Sequence, residues 1–223
     1  MDKLIRICST EEEIAGRMLK WHPHLEDFQM LNNNGADFIL SFTNISEEDC
    51  YELDVTFEDI SYGDGSKTLA ETLVELLSEK TVMLSTAESL TGGNIASAIV
   101  EVAGCSSVFY GGIVSYSNDA KMKYLGVAEE TIGDFGAVSR QTAIEMATGL
   151  LCENVQIGVS TTGIAGPTGG SFTKPVGLVF LSVTDEERTD VYEHVFQGDR
   201  EQVRNQARDY ALFHAIKHLQ KYY

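Results

Sequence analysis

Thr86-Ala87-Glu88-Ser89-Leu90-Thr91-Gly92-Gly93 lies between an apolar run, Thr81-Val82-Met83-Leu84, and a helix-like pattern, Ile95-Ala96-Ser97-Ala98-Ile99-Val100. The order reads strand, tight polar turn, helix. A hydroxyl, a carboxylate and two glycines therefore crowd the point where a helix opens. Helix N-termini present free N–H groups and a partial positive charge, which suit a phosphate or a developing oxyanion. A turn after a strand is also where open α/β sheets hold their ligands.

Beyond this turn the pattern keeps alternating. Leu69, Leu73, Val74, Leu76 and Leu77 are spaced as an amphipathic helix. Helices are expected at 67–79, 92–102, 118–125, 139–152 and 200–221, and strands at 81–86, 108–115, 156–162, 176–184 and 189–196. The fold class that follows is α/β, a layered mixed sheet flanked by helices. The last two strands are joined only by Asp185-Glu186-Glu187-Arg188, so they are expected to form an antiparallel hairpin.

Tyr62-Gly63-Asp64-Gly65-Ser66 reads as a boundary, dividing a small α+β unit over residues 1–62 from a larger domain over 66–223. In the small unit Leu4–Cys8 is strand-like, and Ser9-Thr10-Glu11-Glu12-Glu13 resembles a capped helix start. Phe38–Phe42 and Tyr51–Phe57 are expected to be strands, the second by its apolar–polar alternation, and Asn32-Asn33-Asn34-Gly35 is a turn signal.

The 223 residues carry a formal net charge of −18, with 43% hydrophobic and 22% charged residues. That composition can bury a sizeable core. Residues 1–65 hold fifteen acidic against four basic side chains, so most of the charge sits there, where it reads as a solvated face. Such a surface repels a phosphate backbone, which argues against nucleic acid as a partner. No run approaches a membrane span, and Met1-Asp2-Lys3-Leu4-Ile5-Arg6 lacks an apolar leader core, so a cytoplasmic protein is expected. Cys8, Cys50, Cys105 and Cys152 form no C-x-x-C pair and read as free thiols.

Three polar, glycine-rich segments follow apolar strand candidates: Glu88–Gly93, Ser115-Tyr116-Ser117-Asn118-Asp119-Ala120-Lys121, and Thr161–Gly170 with Lys174-Pro175-Val176-Gly177. If their strands are neighbours, the three turns meet at one sheet edge. Their chemistry is complementary. Ser89 offers a hydroxyl, Tyr116 a phenol and Lys121 an amine. A serine attacks an amide once a base takes its proton, and a desolvated lysine or a tyrosine relay does this without histidine. Glycine N–H groups, here those of Gly92 and Gly93, can hold a growing oxyanion. Simpler readings stand beside these: Ser89 as a helix cap, Tyr116 as a buried structural tyrosine, Lys121 as a solvated helix residue. Gln197-Gly198-Asp199-Arg200 starts a long helix containing Arg204 and Arg208, and Arg200 and Arg204 are either ordinary helix residues or phosphate partners. His214 and His218 lack the H-E-x-x-H pattern and read as surface residues, His22 and His24 as turn residues, and His194 as isolated on a strand, so no metal site is expected.

Together the segments resemble the C-terminal domain of the CinA family, a domain that also occurs alone as nicotinamide mononucleotide deamidase. The resemblance runs from about Leu69 to the C-terminus. It rests on Ala87-Glu88-Ser89 with Thr91-Gly92-Gly93, Gly104 with Ser106-Ser107, Tyr116-Ser117-Asn118 with Lys121, Leu125-Gly126-Val127, Gly136-Ala137-Val138-Ser139, Thr162-Gly163-Ile164-Ala165-Gly166-Pro167 with Gly169-Gly170, Lys174-Pro175-Val176-Gly177, and Gly198-Asp199-Arg200. It implies hydrolysis of the carboxamide of nicotinamide mononucleotide to nicotinate mononucleotide and ammonia. It implies Ser89, Tyr116 and Lys121 as the catalytic cluster. Around the substrate it implies Thr91, Gly92 and Gly93 of the first turn and Thr162, Gly163, Ala165 and Gly166 of the third loop; the residues themselves add Glu88 of the first turn, and Arg200 or Arg204 at the phosphate. No metal or organic cofactor is implied, the partner is a small nucleotide rather than a nucleic acid or membrane, and a homodimer or higher homo-oligomer is expected. Two departures stand out. Leu90 occupies a position where the family usually has cysteine, and residues 1–62 do not resemble the nucleotide-pyrophosphatase domain of full-length relatives. They motivate a different expectation: a catalytically silent nucleotide-binding regulatory or interaction protein using the same pocket.

Overall fold

The computed structural model describes residues 1–25, 28–32, 35–63 and 65–223. Residues 3–63 hold β1 (Lys3–Cys8), α1 (Glu11–Trp21), β2 (Phe28–Asn32), β3 (Asp37–Phe42), α2 (Glu47–Phe57) and β4 (Ser61–Gly63). The sheet runs β2-β3-β1-β4 with every pair antiparallel, the arrangement of a split βαβ, ferredoxin-like unit.

Here the sequence reading is corrected: 51–57 is helix, not strand. Ser46 Oγ accepts from the Asp49 N–H at 3.0 Å, and Asp49 Oδ2 accepts from the Ser46 N–H at 3.2 Å. This reciprocal capping box starts a helix that places Leu53 and Phe57, four residues apart, in the core. The alternation misled because Tyr51 and Val55 fall on the exposed face of the same helix. Strand β2 is a further element the sequence reading missed. Of the turn at 32–35, Asn33 and Asn34 lie outside the described residues, as does Asp64 of the boundary signal. The Asn32 side chain nevertheless closes on Gly35, accepting from its N–H at 3.1 Å.

One face of this sheet packs on α1 and α2 through Ile5, Ile7, Ile14, Phe38, Leu40, Leu53 and Phe57. The other face does not meet solvent alone. Cys8, Ala36 and Tyr62 join the core of the larger unit.

That larger unit comprises α3 (Leu69–Lys80), β5 (Leu84–Glu88), α4 (Asn94–Val100), β6 (Phe109–Val114), α5 (Asn118–Leu125), α6 (Glu129–Phe135), α7 (Arg140–Thr148), β7 (Ile157–Gly163), β8 (Leu178–Thr184), β9 (Thr189–Val195) and α8 (Arg200–Tyr222). Strand β5 begins later than the apolar run suggests, because Thr81 is the left-handed C-cap of α3. Helix α6 was not foreseen. The sheet order is β6-β5-β7-β8-β9, with β5 parallel to both β6 and β7, and β8 and β9 closing the sheet as an antiparallel hairpin. Helix α7 packs on one face, and α4 and α8, with α3 against them, cover the other. Because β5, β6 and β7 run the same way, their carboxyl ends bring Ser89, Ser115–Tyr116 and the loop after Gly163 to one edge.

Candidate active site

Ser89 follows directly on β5. Its N–H donates to the Thr161 carbonyl on β7 at 3.0 Å, which fixes the backbone where the strand ends. Its side chain is buried and receives a hydrogen bond from Lys121 Nζ at 3.0 Å. Lys121 sits on α5, which starts from the Ser117 side chain as N-cap. The rest of its ammonium is spoken for: Nζ donates to the Ser115 carbonyl at 2.7 Å and to the Tyr116 carbonyl at 3.3 Å. Lys121 is only 1% exposed, and burial lowers its pKa to about 8.

The three acceptors are not equivalent. Two are carbonyls, which can only accept; the third is a hydroxyl, which can also donate. A neutral Lys121 therefore points its two N–H groups at the carbonyls and leaves its lone pair toward the Ser89 O–H. That is the arrangement of a base beside a nucleophile.

Ser89 and Lys121 line a cavity of about 330 Å³. Its walls include Thr162, Gly163, Ala165 and Gly166 of the third loop, together with Tyr116 and Arg200. Arg200, the first residue of α8, donates from Nη1 to the Gly166 carbonyl at 2.8 Å and from Nη2 to the Tyr116 hydroxyl at 3.2 Å. Tyr116 is 64% exposed, and its phenol stands at the mouth beside Arg200 while its backbone carbonyl reaches Lys121. The cavity thus has a hydroxyl and an amine at its floor and a guanidinium at its rim.

The CinA C-terminal domain model matches residues 66–219. The chain belongs to the CinA family. A CinA-like protein of Kosmotoga olearia is 53% identical over 152 residues, which is 68% of this chain and 37% of that protein. A CinA-like protein of Fusobacterium nucleatum is 45% identical over 161 residues, 71% of this chain and 39% of its own length. This chain therefore spans well under half of these relatives. Among solved structures, the competence/damage inducible protein CihA from Agrobacterium tumefaciens is 42% identical with a TM-score of 0.63, over 68% of this chain and 92% of that one. A CinA superfamily protein from Klebsiella pneumoniae is 32% identical with a TM-score of 0.67, over 69% and 97%. The matched segment is the part that carries Ser89 and Lys121.

Within this CinA domain, several candidate residues serve the turn rather than face the cavity. Glu88 is buried, and its carboxylate accepts from the N–H groups of Gly93 at 2.8 Å, Ile95 at 3.2 Å and Ala96 at 2.8 Å. It caps α4, whose own N-cap, Gly93, has no side chain to do so. Of the two glycine N–H groups expected to hold an oxyanion at this helix start, that of Gly93 is thus engaged by the chain's own carboxylate. Gly92 and Gly93 have φ of 62° and 97°, a left-handed pair that brings the chain back over Glu88. Thr91 Oγ1 lies 2.7 Å from Thr161 Oγ1, both buried, tying the turn to β7. Arg204 reaches the turn from α8, donating to the carbonyls of Leu90 at 3.0 Å and Thr91 at 2.8 Å and to Asn94 Oδ1 at 3.2 Å. Of the two arginines, Arg200 alone lines the Ser89 cavity.

Ala137 and Val138 also line the cavity but were not singled out as site residues. Lys174 holds them there, donating to the carbonyls of Phe135 and Val138 at 2.7 Å each. The histidine readings are corrected too. His214 and His218 are buried, not on the surface. His218 lies between Asp185, at 3.0 Å from Nε2, and Asp190, at 2.9 Å from Nδ1. His194 is not isolated, since its Nε2 is 3.1 Å from that of His214. These contacts join α8 to the β8–β9 hairpin, which no local pattern could reveal.

Proposed function

We propose that this protein is an amidohydrolase that converts nicotinamide mononucleotide to nicotinate mononucleotide and ammonia. The observation that supports this best is the buried Lys121 amine beside the Ser89 hydroxyl, with two backbone carbonyls as its other partners. Neutral Lys121 takes the Ser89 proton as Oγ bonds to the carboxamide carbon. The resulting ammonium lies next to the tetrahedral intermediate and offsets its negative charge. It then protonates the departing nitrogen, and ammonia leaves. Water, deprotonated by Lys121, attacks the acyl-serine ester; the acid product leaves and Ser89 regains its proton. In this reading Arg200 at the rim meets the substrate phosphate, with the Gly163–Gly166 backbone beside it. Arg204, occupied by the turn, is not assigned to the phosphate.

The test is incubation of the purified protein with nicotinamide mononucleotide, reading ammonia and nicotinate mononucleotide, beside Ser89→Ala. Product from the wild type alone, and an acyl adduct on the Ser89 peptide after denaturing quench, is the expected result. Full turnover by Ser89→Ala eliminates the covalent route. Nucleotide binding without ammonia replaces the enzyme reading with that of a binding protein.

A further inference from the structure

Arg200, Arg204 and Arg208 recur every four residues and so share one face of α8. Each end of this row holds a different part of the molecule. Arg200 holds the third loop through Gly166, and Arg204 holds the turn just past Ser89 through the Leu90 and Thr91 carbonyls. Arg208 donates from Nε to Asp209 Oδ1 at 2.7 Å, and Asp209 Oδ2 accepts from the Ala36 N–H at 2.8 Å. Ala36 belongs to the N-terminal unit. Asp209 is buried, and burial raises its pKa to about 6.

The junction is tight. A Cβ on Gly35 would lie 1.9 Å from Asp209 Oδ2, so the chain at 35–36 rests directly on this carboxylate. Around it, Cys8, Ala36 and Tyr62 share a core with Ala211, Leu212 and Ala215 of α8. Farther along, Lys217 donates to the Glu58 carbonyl at 3.0 Å. Asp209 is five residues from Arg204, about 7.5 Å along the helix axis.

We propose that the N-terminal unit is a brace for the catalytic turn: it sets the position of α8 through Asp209, and α8 sets the Leu90–Thr91 backbone, and with it Ser89, through Arg204. The proposal rests on Ser89 being the nucleophile. Asp209 and Arg204 act as positioning residues, since neither touches the reacting atoms. The physical basis is that a nucleophile must be held within a fraction of an ångström by groups that are themselves locked. A guanidinium fork on two successive carbonyls provides such a lock, and the fork stays in register only while α8 does.

Hydrogen exchange followed by mass spectrometry on the full chain tests this, with Gly35→Ala as the probe, because that position is remote from the Ser89 cavity. The expected result is several-fold faster exchange at residues 90–96 as well as at 35–37, with β8 unchanged. With nicotinamide mononucleotide as substrate, kcat should fall about three- to ten-fold with KM within two-fold. Arg204→Lys, which can serve one carbonyl at a time, should retain more of kcat than Arg204→Gln. Faster exchange confined to 35–37, or spread equally through β8, overturns the brace. If Gly35→Ala does not fold, Asp209→Asn replaces it with the same readout, since its amide oxygen can still accept from Ala36 but carries no charge for Arg208. The exchange measurement needs no turnover. A wild type that releases no ammonia would refute the deamidase and leave the brace to be decided by exchange alone.

Discussion

Two buried cations, one in each unit, show how differently the same kind of group can be used. Arg6 of the N-terminal unit is paired with Asp37 through two hydrogen bonds, from Nε at 3.0 Å and Nη2 at 2.7 Å, and the Tyr62 hydroxyl donates to the same carboxylate. Its charge is matched, and its partners hold its pKa above the usual arginine value despite burial. Lys121 of the CinA domain is equally buried, but what surrounds it is a hydroxyl and two carbonyls. Burial therefore acts on it unopposed and brings its pKa to about 8. A matched buried charge holds structure together; an unmatched one is chemically available.

The largest effect expected from this contrast is on turnover. Lys121→Met should lower kcat by about 10²–10⁴, the usual contribution of a positioned general base, while the fold survives by circular dichroism. Activity within a few-fold of wild type would mean that Lys121 is no more a base than Arg6. Arg6→Met is the mirror experiment. It removes the guanidinium partner of the buried Asp37 carboxylate, leaving it the Tyr62 hydroxyl, and should cost about 3–5 kcal/mol in denaturant unfolding. A smaller loss would show that the pair is less enclosed than its geometry indicates.

Proton occupancy sharpens the comparison. With neutral Lys121 as the proposed base, kcat/KM should rise about tenfold per pH unit up to about 8 and level off above it. Stability should carry the same signature. In the unfolded chain the lysine keeps its proton to about 10.5, so between about 8 and 10.5 the unfolded state binds more protons and folding becomes more favourable as pH rises. Wild type should therefore gain stability relative to Lys121→Met across that window and show no such trend below it. The smallest change is expected at the rim. Arg200→Ala should raise KM for nicotinamide mononucleotide about tenfold with kcat little altered, the scale of one charged hydrogen bond. An equal loss in kcat would move Arg200 from substrate binding to the chemistry.

How far the sequence could be read depended on the range of the interactions involved. Strand-to-helix order in the larger unit was legible because each element carries its own signal, such as the Asp199 cap of α8 or the apolar spacing of α3. In the N-terminal unit the same reasoning failed at 51–57. Two-residue alternation and a capping box competed there, and packing of Leu53 and Phe57 decided for the helix. Within the site, Ser89, Tyr116 and Lys121 were visible as residue types in polar turns, but their division of labour was not. Only folding shows Tyr116 at the rim and Lys121 at the floor, and Glu88 turned inward as a cap.

By itself, then, the sequence determined the layered α/β class, the family and the three loops that meet at one edge, since these follow from local caps, glycines and apolar periodicity. Tertiary structure decided which polar groups are engaged and which are free. Glu88 and Arg204 spend their hydrogen bonds on the Ser89 turn, and burial lowers the proton affinity of Lys121. It also decided that the N-terminal sheet lies against α8 through Cys8, Ala36 and Tyr62. Those outcomes depend on residues far apart in the chain sharing one low-dielectric space, where each hydrogen bond and each unmatched charge counts for more than it would in water.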